Sequence, residues 1–110
     1  MYTKLYERLV IIDTTAPEYS QAVSIEGFNA AFPEIVTFTF SGLTNVKVQL
    51  QESNDLENWR DKGTVNTVSA IGYTSGTVVT ACAAAYVRLK IYTTGTGTAI
   101  LSAGLNLSAL

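Results

Sequence analysis

The chain has 110 residues, 47% of them hydrophobic and 15% charged, with a net charge of −2. That is enough for one cored domain, too greasy for disorder, and too short of clustered Lys and Arg for phosphate-backbone binding, so no nucleic-acid partner is expected. Histidine is absent, which removes imidazole zinc sites and His-activated nucleophiles.

In chain order, Leu5–Ile12 fits a strand or a short helical face, and the β-branched run Val10-Ile11-Ile12 favours the strand. Asp13–Ser20 contains Pro17 and reads as loop. Gln21–Ile25 is a short strand and Glu26–Pro33 a turn-rich connection. In Glu34–Phe40, Val36, Phe38 and Phe40 alternate with Ile35, Thr37 and Thr39, giving one greasy face. Ser41–Asn45 then reads as a turn, and Val46–Leu50 as the second arm of a β-hairpin, with Lys47, Gln49 and Gln51 outward. Asn54–Asn58 is a loop, Trp59–Val68 a strand, Ser69–Gly76 a small-residue connection, and Thr77–Ala85 a weak strand. Tyr86–Tyr92 alternates Val87, Leu89 and Ile91 against Tyr86, Arg88, Lys90 and Tyr92. Thr93–Gly97 reads as a tight turn, after which Ala99, Leu101, Ala103, Leu105 and Leu107 form an inward face opposite Ile100, Ser102, Gly104, Asn106 and Ser108. About seven or eight short strands without a helix predict an all-β antiparallel sandwich or jelly roll. It spans residues 1–110 as a single domain, with 1–20 an N-terminal arm or edge strand.

Chemistry is thinly signalled. Cys82, in an uncharged run, reads as a small buried hydrophobe. Glu52, Asp55 and Glu57 crowd a turn where carboxylates stay solvated, and a calcium ion would use this loop, but Arg60 and Lys62 lie equally close. No phosphate loop, nucleophile elbow or Cys-x-x-Cys is present. A non-enzyme without catalytic residues, metal or other cofactor is therefore expected. Charged residues in the first eight positions argue against a signal peptide, and the uncharged stretches Gly63–Val87 and Ile91–Leu110 are too broken by polar residues and Gly to span a membrane.

Six of the sixteen charged side chains fall between Glu52 and Lys62, and the last twenty residues carry none. Protein interfaces are depleted in Lys, Glu and Asp and enriched in Tyr. Tyr73, Tyr86, Tyr92, Ser102 and Asn106 are thus the expected interface residues, and the final strand is expected to be interior or paired.

The stretch Val46–Trp59, with its Ser53, Asp55 and Trp59, resembles the "V-x-L-x-x-S-x-D-x-x-x-W" hairpin of discoidin-like (coagulation factor 5/8 type C) jelly rolls. It also resembles small β-sandwich head or decoration proteins of tailed bacteriophages. Ala85-Tyr86-Val87-Arg88-Leu89-Lys90 resembles a late strand of both groups. Ser53 and Asp55 are read as turn formers that bond nearby backbone N–H groups, Trp59 as a core plug, and Arg88 as an outward residue pairing with Asp55, Glu57 or Asp61. The shortness of the chain and its single Cys favour the phage type. The resemblance then implies a virion structural protein, assembled in the host cytoplasm, that decorates a capsid by adhering to the major capsid protein or another virion protein, as a homo-oligomer with a trimer favoured. The alternative is a discoidin-like module binding a glycan or surface through loop aromatics such as Trp59 and Tyr73, which could stack on sugars.

Overall fold

A computed structural model of the chain describes residues 1–12 and 17–110. Among them are eight strands and no helix, joined in one antiparallel sheet. Two strands dominate: β4 (Ala30–Ser53) with 24 residues and β8 (Tyr86–Ser108) with 23. They pair from Ala30 opposite Ser108 to Ser53 opposite Tyr86. The other side of β8 carries β1 (Tyr2–Ile12), β2 (Glu18–Tyr19) and β3 (Val23–Ser24). The other side of β4 carries β5 (Arg60–Asp61), β6 (Asn66–Val68) and β7 (Gly72–Ser75). The final strand is therefore interior, flanked by β1 and β4.

Laid straight, β8 would reach about 76 Å, at about 3.3 Å per residue, yet the longest dimension of the molecule is 39 Å. The β4–β8 ribbon must fold over. The fold lies where the pairing register slips, three times between Thr37 and Asn45. Gly42 sits there at φ 82°, and a Cβ on it would stand 2.7 Å from the Thr96 carbonyl oxygen. Gly97, opposite, would drive a Cβ into the Ser41 carbonyl. Both positions need a residue without a side chain.

Two expected hairpins are thereby corrected. Glu34–Phe40 and Val46–Leu50 do not pair with each other, and neither do Tyr86–Tyr92 and Ala99–Leu107; each couple lies within one long strand. Ser41–Asn45 and Thr93–Gly97 are not turns but the two sides of one corner. A reversing turn and a bulged corner draw on the same Gly and Asn chemistry, and only long-range pairing separates them.

The corner divides the sheet into two halves whose inner faces meet. Ile35, Leu101 and Leu105 from the first half join Val46, Leu50 and Leu89 from the second in a single cluster. Each such side chain contributes about 1.5–3 kcal/mol on burial. The bulge also flips the strand's parity. Ile35 and Thr37 face inward, then Phe40 and Val46 do, so Phe38 stands outside at 40% exposure rather than in the expected greasy face. Thr37 pays for its inward place with a buried hydroxyl lacking a partner.

The rest of the chain departs less. Trp59–Val68 breaks into β5 and β6, Ser69–Gly76 contains β7, and Thr77–Ala85 holds only an isolated bridge from Val79 to Ala31. The expected loop Asp13–Ser20 lies partly outside the described residues, and its described part includes β2.

Gly42→Ala is expected to lower stability by about 1–3 kcal/mol through strain at the corner. Thermal melting with circular dichroism checks this: the melting temperature should fall by several degrees while the all-β spectrum is kept.

Candidate interaction surfaces

Each half of the sheet has an outer face, and the two lie on opposite sides of the core. The first half presents Phe32, Val36 and Phe38 from β4, Ile100 and Asn106 from β8, Val10 from β1 and Tyr73 from β7. Val10 is 54% exposed and Tyr73 61%. Its charges are of both signs: Lys4 and Glu34 flank Gly104, and Arg8 stands beside Phe38. Arg8 reaches over the Phe38 ring at 4.2 Å, and Glu34 Oε1 accepts the Tyr73 hydroxyl at 2.6 Å. Small residues line the middle of the face, where the Tyr2 ring lies close over Gly104.

The expected interface residues are split by the fold. Tyr73, Ser102 and Asn106 share this first face, whereas Tyr86 and Tyr92 stand half-buried on the second. Ser102 needs correction: it is only 7% exposed, a small side chain on an interior strand opposite the larger Val36.

The second half presents Lys47 from β4 and Asp61 from β5 beside Arg88, Lys90 and Tyr92 from β8, with Gln51 buried among them. Three of the seven basic residues thus gather on one face of an acidic chain. Their wide separation in sequence hides this, although each lies at an outward position of its strand.

Arg88 is the centre of this face. Its guanidinium lies 4.2 Å from the Tyr19 ring centroid and 4.1 Å from that of Trp59. Its Nε donates to Gln51 Oε1 at 2.9 Å, and Gln51 Nε2 donates on to Asp61 Oδ1 at 3.0 Å. Burial lowers its pKa. Two expectations are corrected here. Trp59 is not a core plug: it is half-buried outside the core, its Nε1 donating to the Leu56 carbonyl. Arg88 pairs with none of Asp55, Glu57 and Asp61, since Gln51 stands between it and Asp61. The cause is parity. Trp59 is two residues before Asp61, which pairs with outward Gln51, so Trp59 falls on the outer side.

The turn before Trp59 is built by Ser53 and Asp55. Ser53 Oγ accepts the N–H groups of Asp55 and Leu56 and donates to Asp55 Oδ1. Asp55 Oδ1 also accepts the N–H groups of Glu57 and Asn58, and Oδ2 accepts the Asn58 amide at 2.7 Å. These donors hold the Asp55 carboxyl far below the usual carboxylate range, and they occupy the oxygens a cation would need. Glu52 is not solvated as expected but buried, its Oε1 accepting Arg60 Nε at 2.8 Å across the strand pair. Cys82 is free and buried, and burial raises its thiol pKa. Among the described residues no three His, Cys, Asp or Glu side chains gather as a metal site. No helix there is long and apolar enough to cross a membrane.

No protein-family model and no curated protein sequence matches the chain. The fold has a counterpart among solved structures. It is similar to the crystal structure of the SPBc2 prophage-derived protein YomS, with a TM-score of 0.56 and 9% identity over 93% of this chain and 94% of that one. At that identity the likeness is one of fold.

Two outcomes are expected. Trp59→Ala should cost about 1–2 kcal/mol, as for loss of a partly desolvated cation–π contact, rather than the 3–5 kcal/mol typical of a core Trp; urea denaturation measures the difference. Asp55 has a depressed folded-state pKa, so its contribution to stability is complete above the unfolded value of 3.8 and is lost as pH falls below it. The melting-temperature gap between wild type and Asp55→Asn should hold steady above about pH 5 and narrow below about pH 4.

Proposed function

We propose that the protein is a non-enzymatic structural component of a tailed-phage virion, acting by adhesion. The observation that carries the reading is the outer face of the first half-sheet, where Val10, Phe38 and Tyr73 lie exposed across three strands, with Arg8 held over the Phe38 ring and Glu34 bonded to the Tyr73 hydroxyl. Apolar patches of this kind on a small domain mark surfaces that other proteins cover. The fold shared with a prophage-derived protein across nearly the whole of both chains supports the phage setting.

The adhesion itself is simple physical chemistry. The rigid sheet presents a nearly flat patch whose rings and aliphatic groups leave water when it docks on a shell protein or on another copy. Each contact is modest, but copies repeated along a lattice add through multivalency. Decoration of a capsid is the role this mechanism fits best. A homo-oligomer, with a trimer as the favoured form, belongs to the same reading.

Co-sedimentation with assembled tailed-phage shells and tails, together with analytical ultracentrifugation, tests the proposal. Wild-type protein should self-associate or pellet with one of those assemblies, burying at least about 800 Å² per subunit. A Tyr73→Lys/Asn106→Lys double variant should lose the association and keep its melting temperature within a few degrees. A wild-type chain that stays monomeric at high concentration and ignores every such assembly rules adhesion out.

A further inference from the structure

Among the described residues no carboxylate pairs directly with Arg88, and Asp61 reaches it only through Gln51. The one ion pair among them is Arg60 with Glu52, and the only Arg88 donor with a partner is Nε. A half-buried charge is ordinarily paired, because partial removal from water disfavours it. Here the two faces of the guanidinium are covered by Tyr19 and Trp59, and its position along the sheet is set by Gln51. The rotamer entropy of a long side chain is already spent, which leaves a fixed N–H fork of the shape that a carboxylate meets with two parallel hydrogen bonds.

The surroundings narrow the partner. Lys90, the next outward residue of β8, adds a second cation whose Nζ lies 5.3 Å from the Tyr92 ring centroid. Tyr19 keeps 46% of its surface open beside Arg88. Aromatic rings beside a few fixed cations on a flat sheet suit a sugar, whose C–H faces stack on rings while a single acid group meets the arginine. A long polyphosphate needs many cations, and the chain as a whole carries a net charge of −2.

We propose that the Tyr19–Arg88–Trp59 clamp is a binding site for the carboxylate of an acidic sugar. It lies on the face opposite the adhesion surface and does not depend on it, so one copy can dock by one face and hold a glycan on the other.

Calorimetric titration of the full chain with trigalacturonate and sialyllactose, against maltotriose and lactose, tests the site, with Trp59 emission as a second signal. An acidic sugar should bind and its neutral counterpart should bind at least about tenfold more weakly, with affinity falling as salt rises. Arg88→Lys, which keeps the charge but loses the fork, should weaken binding about tenfold or more. Tyr73→Lys/Asn106→Lys, on the opposite face, should leave it unchanged, which separates this site from adhesion. Should Arg88→Lys fold poorly, the acidic-to-neutral ratio and salt dependence of the wild type decide alone. The proposal falls if neutral sugars bind equally well or if Arg88→Lys binds as tightly as wild type. It also falls if a single-stranded oligonucleotide or an acidic peptide outcompetes the sugars, or if no acidic sugar binds below about 10 mM.

Discussion

Everything in this molecule depends on one steric constraint: two strands of more than twenty residues must fit a body 39 Å long. They do so by bending together at a corner where Gly42 and Gly97 let the two backbones close on each other. The bend turns one sheet into two facing halves and so creates the core. Without it the ribbon would leave its apolar side uncovered, and the short flanking strands would have nothing to complete.

The same corner sets which residues meet the outside. The bulge near Phe38 reverses inside and outside along β4, so Phe38 stays on the outer face while Phe40, two residues on, packs against the core. On the other half the alternation continues unbroken into Arg88 and Lys90, with Lys47 opposite Tyr92. The two outer faces differ in chemistry as a result. One sets exposed apolar and aromatic groups among a few charges of both signs and suits protein contact. The other is basic and aromatic and suits a small anion.

The Ser53–Asp55 turn links fold to surface. Its side-chain oxygens take up backbone N–H groups that no ladder satisfies, and this fixes where Trp59 leaves the loop. Trp59 then meets Arg88 from one side while Tyr19 of β2 meets it from the other. Three separate stretches of chain thus build the clamp, and none of them carries a motif for it.

What the sequence by itself determined was local. Its period-two segments specify strands, and the β8 alternation places Val87, Leu89, Ile91 and Leu101 inward, because a strand's side chains can only alternate. The Ser-x-Asp spacing specifies its own turn, since every partner lies within five residues. Tertiary structure alone decided the rest. Whether Ser41–Asn45 reverses the chain or bends it depends on a strand fifty residues away, because only the pairing with Thr93–Thr98 makes a corner of it. Whether Trp59 lies in the core or on Arg88 depends on the register of β5 against β4, for a shift of one residue carries a side chain to the other face.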